Sequence, residues 1–378
     1  MFVVYQISLV LTIGGFVVYF KRDSFHFETK NALFWRRFLA RMFFSKTQSI
    51  VGVDLGTSYI KVAQISHTKP QTLNTYGIVE LDEPIGLQSG DGAIAQAAKR
   101  LRDLLDQAQV TTKHAVASLP NNAVFTSVID MPAMPERELA QAIPFEAKKY
   151  VPLPFDEVLL SWSVLGQNDG GTSQKVLLIA VPKVIRETYV RIFELAKLDL
   201  EIIEIEALSL IRSLITNPAK NSVIIDIGGK STGINFVKQG QLQLTRNINV
   251  GGDTVTNRIA ETLNVTPQRA AQFKHDFGMT GNDFLPEAIK PVLSVIKNEA
   301  AQLLSIYKAR NVAADEIILV GGGALVPGLI GYFGELGLPV VMGAPASSLS
   351  VPAKAVPLVE QFKSQLAVAI GLAMRHES

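Results

Sequence analysis

Ile50-Val-Gly-Val-Asp54-Leu-Gly56-Thr-Ser-Tyr-Ile60-Lys61 and Val223-Ile-Ile-Asp226-Ile-Gly228-Gly-Lys-Ser-Thr-Gly-Ile234 read alike. Each is an apolar run ending in aspartate, then x-Gly, small polar residues and a second apolar run. The pattern predicts strand, tight turn and return strand, twice over. Asp54 and Asp226 stand 172 positions apart, too far for a solenoid period, so the repeat marks two related halves of one molecule. A third glycine stretch, Gly321-Gly322-Gly323, follows the strand-like run Glu316–Val320.

These glycine turns carry the candidate chemistry. Polyphosphate oxygens need backbone N–H donors at close range; glycine permits the approach and Ser or Thr hydroxyls add donors. An aspartate beside such a turn repels phosphate unless a hydrated Mg²⁺ lies between them. Two turns facing each other would clamp a nucleotide, and the Gly-Gly-Gly strand end would leave bare backbone for a flat base or ribose. Alone, either Asp-x-Gly turn is an ordinary hairpin; their recurrence at equivalent places argues for a site. Gly229-Lys230-Ser231 imitates the end of a P-loop, but position 224 is Ile224 where that motif needs glycine, and a strand follows rather than a helix. Gly251-Gly252-Asp253-Thr254 opens a helical run to Leu263. Its N-terminus is read either as a phosphate contact or as an Asp N-cap.

The surrounding chain alternates strands and helices, an α/β pattern. Residues 93–109 carry Ala97, Leu101, Leu104, Leu105 and Ala108 at helical spacing. Strands are predicted at His114–Leu119, Val124–Asp130, Val158–Val164, Val176–Val181 and Glu201–Ile205. Helices are predicted over Glu136–Tyr150 despite Pro144, over Lys183–Leu198, from Ile205 to about Leu214, and over Leu366–Met374.

Of 378 residues, 48% are hydrophobic and 19% charged, which suits a folded chain longer than one simple core. A net charge of +2 gives no nucleic-acid footprint. Zero cysteines exclude a disulfide scaffold, thiolate metal sites and a cysteine nucleophile. His26, His67, His114, His275 and His376 form no close sequence pair, against a zinc site. Phe2–Phe20 carries no charge, and Lys21 and Arg22 follow. As helix it would rise ~28 Å, enough for a single-span anchor with the remainder in the cytoplasm. The competing readings are an interfacial helix and a natural start at Met42, which begins Met-Phe-Phe-Ser-Lys.

The two Asp-x-Gly turns and the Gly-Gly-Gly strand end resemble the two phosphate motifs and the adenosine motif of the actin-like ATPase superfamily, which spans sugar kinases, actin and large heat-shock chaperones. Within it, Met131-Pro-Ala-Met-Pro-Glu-Arg-Glu-Leu-Ala-Gln-Ala-Ile-Pro-Phe-Glu-Ala-Lys-Lys-Tyr150 and its continuation to Trp162 resemble the signature of the PilM family of type IV pilus assembly. The resemblance covers about Met42 to Arg375, and family members begin about a dozen residues before the first motif, which favours Met42 as the start.

The resemblance implies a ribonuclease H-like, actin-like two-domain fold with an FtsA-type inserted subdomain. Domain 1 would comprise 49–110 with 186–220 and 357–378; the insertion 111–197, its boundary with domain 1 unsettled; domain 2 would be 221–356; and 1–41 a separate extension. ATP and Mg²⁺ would bind between domains. Asp54, Gly56, Thr57, Ser58 and Lys61 match the first phosphate motif, Asp226, Gly228, Gly229, Ser231 and Thr232 the second, and Gly321, Gly322 and Gly323 the adenosine motif. Gly251 and Gly252 join them from the helix start, and Asp54 and Asp226 would hold Mg²⁺ through water. Relatives carry Glu-x-x-Lys at an adenosine-contacting helix; here Lys274 is kept but Ala271 replaces the acid, with Gln272 the nearest substitute. Losing that acceptor is worth about 1–3 kcal/mol.

The resemblance further implies a protein peripheral to the inner membrane on its cytoplasmic side. It would bind the N-terminal cytoplasmic tail of PilN and link the alignment complex to the pilus motor proteins. Self-association stays open, and no nucleic acid is expected. No general base stands out, so ATP is expected to be bound with weak or absent hydrolysis. Two alternatives remain: an FtsA-like membrane-associated polymer former, and a small-molecule kinase, for which no carboxylate base can be assigned.

Overall fold

The computed structural model describes residues 10–13, 16–19, 49–81, 90–167, 170–280, 284–345, 347–353 and 356–375. The chain divides into two units, Met1–Lys46 and Thr47–Ser378. In the first, the described residues are two antiparallel strands, β1 (Val10–Ile13) and β2 (Phe16–Tyr19), with Ile13 opposite Phe16. This differs from the helix expected over 2–20. β-Branched and aromatic residues dominate both strands. Among the described residues no helix is long and apolar enough to cross a membrane. The basic residues after Phe20, Met42 and His376 lie outside the described residues.

The second unit begins β3 (Ser49–Leu55), β4 (Tyr59–Ser66), β5 (Thr72–Glu80), α1 (Asp91–Gln107) and β6 (His114–Leu119). It continues β7 (Phe125–Pro132), α2 (Glu136–Ala147), β8 (Val158–Gln167), β9 (Ser173–Pro182), α3 (Lys183–Leu195), β10 (Asp199–Ile205) and α4 (Glu206–Leu214). Then come β11 (Ser222–Ile227), β12 (Thr232–Lys238), β13 (Gln241–Ile248), α5 (Gly252–Leu263), α6 (Pro267–Asp276) and α7 (Phe284–Ala309). The chain ends with β14 (Glu316–Val320), α8 (Leu329–Gly334), β15 (Val340–Met342), α9 (Val356–Phe362) and α10 (Ala367–Ala373).

The internal repeat is a repeat of topology. One five-stranded sheet is ordered β5-β4-β3-β6-β10 and the other β13-β12-β11-β14-β15. In each, the first three strands form an antiparallel meander and the last two add in parallel. The offset of 172 even survives in register, for Asp54 lies opposite Lys61 and Asp226 opposite Gly233.

α1 and α3 cover one face of the first sheet, burying Ala97, Leu101, Leu104 and Leu105 with Ile185, Tyr189, Ile192 and Phe193. α7 fills the equivalent face of the second through Ile289, Leu293, Ile296 and Leu303. Between the sheets lie α4 and α10: Ile50 and Val116 share one core with Ile224, Ile318, Leu210, Leu214, Ala367 and Leu372. Two glycines permit this packing. A Cβ on Gly52 would land on the Ala369 carbonyl oxygen of α10, and one on Gly371 on the Ser209 carbonyl oxygen of α4.

A third, antiparallel sheet, β7-β9-β8, draws on Phe125–Pro182 and is faced by α2, with Leu139, Ile143 and Ala147 buried against Val158, Val176 and Leu178. Its other face meets Ile205, Ala207 and Leu242 through Leu177 and Ile179. β6 and α3, which fall within 111–197, pair and pack with the first five-stranded sheet instead. α2 ends at Ala147 with Pro144 in its last turn, where the missing N–H breaks a helical bond.

Candidate functional site

The two Asp-x-Gly turns close with the same bond. Gly56 N–H donates to the Tyr59 carbonyl at 3.0 Å, and Gly228 N–H to the Ser231 carbonyl at 2.9 Å. Space is tight at both glycines, since a Cβ would lie 2.9 Å from the Tyr59 oxygen and 3.0 Å from the Ser231 oxygen. The turns face one cleft of about 650 Å³, counting its open mouth. Asp54, Gly56, Thr57, Ser58, Lys61, Asp226, Gly228, Gly229, Ser231, Gly321 and Gly322 line it, as do Tyr59, Glu206, Gly233, Ser364 and Gln365.

The aspartates differ because their strand neighbours differ. Asp54 is paired in register with Lys61 on one side and Ser118 on the other. Its carboxylate takes the Lys61 ammonium at 3.0 Å and the Ser118 hydroxyl at 3.0 Å. Asp226 has Gly233 and Val320 in those places, and neither side chain can donate. Burial pushes the Asp226 carboxyl up to about 6, with Lys61 pulling it back and Asp54 adding to the rise. Burial, then Asp54 and Asp226, also lift Glu206 well above the usual carboxylate range. Burial opposes the Lys61 ammonium, but Asp54, Asp226 and Glu206 together hold its pKa above the ordinary lysine value.

The cleft thus gathers three carboxyl groups around one ammonium, a balance that fits an added cation. Among the described residues no three His, Asp or Glu side chains converge to ligate a metal ion directly.

This arrangement makes stability depend on pH. A carboxyl whose pKa is raised by folding binds its proton more tightly in the native state, so its unfavourable share appears as pH rises. For Asp226 that window runs from about 4 to about 6. The ligand-free chain is expected to lose stability across it, and Asp226→Asn to flatten the dependence, read from urea midpoints at successive pH values.

Other sequence-selected residues lie elsewhere. Thr232 is buried and donates to the Val250 carbonyl at 2.7 Å. Gly251 is the N-cap of α5, and Asp253, read as a cap, sits instead in its first turn. The N–H groups of Gly252 and Asp253 donate to the Gly228 and Gly229 carbonyls at 2.9 and 2.8 Å, so they are spent within the protein. Lys274 Nζ donates to the Gly252 carbonyl at 2.9 Å and to Thr256 Oγ1 at 2.7 Å, and burial lowers its pKa. Gly323 packs on the Ile227 side chain. Gln272 is exposed and accepts from Arg269 at 2.9 Å, so it does not replace the acid missing at Ala271.

The sequence reading missed Ser118, Glu206 and Ser364. Ser364 fixes the adenosine-motif turn by accepting the Gly321 N–H at 3.1 Å and returning a hydroxyl bond at 3.2 Å. Gly233 was within reach, for it stands 172 positions after Lys61.

Duplicated five-stranded sheets, two interleaved helices and facing Asp-x-Gly turns define the actin-like ATPase fold. The chain belongs to the family described as type IV pilus assembly protein PilM, whose model matches residues 52–377. It is 22% identical over 342 residues to the cell division protein FtsA of Enterococcus faecalis, covering 77% of each chain. It is similar to the solved PilM-PilN type IV pilus biogenesis complex, with TM-score 0.78 and 24% identity over 88% of this chain and 99% of that one. MreB5 of Spiroplasma citri bound to AMPPNP is similar at TM-score 0.52 and 15% identity, over 86% and 95%.

Proposed function

We propose that this protein is a nucleotide-binding adaptor of the type IV pilus inner-membrane assembly complex. It acts at the cytoplasmic face of the membrane, binding the N-terminal cytoplasmic tail of PilN and linking it to the pilus motor. The observation that carries the reading is the likeness to a PilM chain solved with PilN, along 99% of that chain.

ATP with Mg²⁺ would occupy the cleft. Gly56, Thr57 and Ser58 on one side, and Gly228, Gly229 and Ser231 on the other, would cradle the phosphates. Asp54 and Asp226 would hold the hydrated cation, and Gly321 and Gly322 would lie under the nucleoside. Mg²⁺ would neutralise phosphate charge that the carboxylates otherwise repel. Lys274 is tied to α5 and Gln272 to Arg269, so the adenosine side is sparsely furnished with polar groups. No general base stands out in the sequence, and Glu206, the cleft carboxyl outside the motifs, has its pKa raised by burial and then by Asp54 and Asp226. That favours ATP as a ligand coupled to domain closure over ATP as a rapidly consumed fuel. The three-stranded sheet and α2, at Phe125–Pro182, are taken as the inserted subdomain, a narrower segment than 111–197.

The test is calorimetric titration of the full-length protein with a synthetic peptide of the cognate PilN tail, with and without Mg-ATP. Saturable one-to-one binding is expected, and a change of affinity with nucleotide would show the coupling. Absence of binding by folded protein in both conditions would overturn the adaptor reading. The likeness to FtsA over three-quarters of both chains supports a second reading, a polymer-forming ATPase. Pelleting of the protein with Mg-ATP would move weight to it.

A further inference from the structure

The Gly228–Ser231 turn is not open to solvent on all sides. Ser58, in the first Asp-x-Gly turn, donates its hydroxyl proton to Asp253 Oδ2 at 3.2 Å, a bond between residues 195 positions apart. The first glycine turn is therefore joined to the start of α5, which is itself bonded to the second turn. Gly229 lies directly beneath this bond: a Cβ there would be 2.6 Å from Ser58 Oγ and 3.3 Å from Asp253 Oδ2. The backbone that carries Asp253 is held in place, because its own N–H and that of Gly252 anchor the start of α5 to the Gly229 and Gly228 carbonyls.

A helix N-terminus attracts anions, but here its first-turn N–H groups are spent and Asp253 already supplies the anion. Its charge reaches into the cleft, where it lifts the Tyr59 pKa after burial and Glu80, and it opposes the burial that lowers Lys274 on the other side. An incoming phosphate chain would meet Asp54 and Asp226 in the cleft and the charge of Asp253 beside Ser58, with Lys61 as the cleft's ammonium among its described lining residues.

We propose that Asp253 is a specificity-determining residue of this cleft, one that discriminates against metal-free polyphosphate and holds Ser58 until a cation-complexed ligand displaces it. The inference rests on the nucleotide reading above. It differs from the roles of Asp54 and Asp226, because Asp253 lies on the helix behind the second turn and would act through charge and through Ser58.

The experiment compares ATP in EDTA with Mg-ATP, by calorimetry, on the full-length protein. Asp253→Asn keeps an acceptor for Ser58 and removes the charge. Asp253→Ser is a second uncharged variant that suits a helix start. Asp276→Asn removes an exposed acid on α6 as a control. The wild type is expected to bind metal-free ATP at least about tenfold more weakly than Mg-ATP. Both Asp253 variants should narrow that ratio to about threefold or less by strengthening metal-free binding, with Mg-ATP affinity within about twofold, and Asp276→Asn should leave it alone. If Mg-ATP binds and the ratio stays put in both Asp253 variants, or both affinities fall together, the proposal is overturned and Asp253 is only a structural tie. If the wild type binds no Mg-ATP at all, the nucleotide reading fails and this inference with it.

Discussion

Gly371→Ala is expected to destabilise the protein by about 2 kcal/mol or more, although alanine alone favours a helix over glycine by about 1 kcal/mol. The reason is the crossing of α10 over α4. Gly371 is buried, and a methyl group there would meet the carbonyl oxygen of Ser209, itself fully buried. Backbone cannot rotate away as a side chain can, so relief requires α10 to lift from both sheets at once. Gly371→Val should be worse, because its branched carbon adds volume in the same place. Urea midpoints of the two variants check this, and a Gly371→Ala protein as stable as the wild type would show that the helices separate at little cost.

Glu204→Ala should be comparably damaging. Glu204 is buried at the end of β10, and its carboxylate receives both terminal nitrogens of Arg212 at 2.8 and 3.0 Å, and a further bond from Arg375. Removing it leaves two guanidinium groups without their shared anion. A fully buried pair broken this way costs about 3–5 kcal/mol. Arg212 and Arg375 keep 27% and 35% of their side-chain surface, so solvent screening reduces the expected loss to about 2–3 kcal/mol. Hydrogen exchange should show α10 loosening first, because Arg375 follows it directly and Arg212 also donates to the Gly371 carbonyl. That shared contact means the Glu204 and Gly371 losses should not add in a double variant.

Much of the frame was legible before any coordinates. α1 buries Ala97, Leu101, Leu104 and Leu105, four of the residues that helical spacing selected, because a 3.6-residue period places those side chains on one face; Ala108 is its half-buried C-cap. The Asp-x-Gly repeat translated into two turns with the same closing bond, since glycine at that position is dictated by local backbone geometry. For Phe2–Phe20 the sequence left a helical span, an interfacial helix and a start at Met42 open, and its described part, Val10–Ile13 and Phe16–Tyr19, is strand. Gly251 and Gly252 were grouped with the cleft as a helix start, and Lys274 through the resemblance's Glu-x-x-Lys motif; in the structure their polar groups bond to protein atoms. A glycine N–H or a lysine ammonium is spent on whichever acceptor the fold brings nearest, and sequence does not name that acceptor.

By itself the sequence determined the duplicated strand-turn-strand units, the glycines those turns need, and the apolar face of α1. All depend on residues within a few positions of one another. The tertiary structure alone decided that Lys61 serves both aspartates, that Ser118 protects one of them, and that Glu206 completes the acid cluster. It alone joined Ser58 to Asp253 and set α10 between the sheets through Gly52 and Gly371. Those arrangements bring together side chains far apart in sequence, and their energies come from desolvation, charge balance and close packing, which exist only once the halves have met.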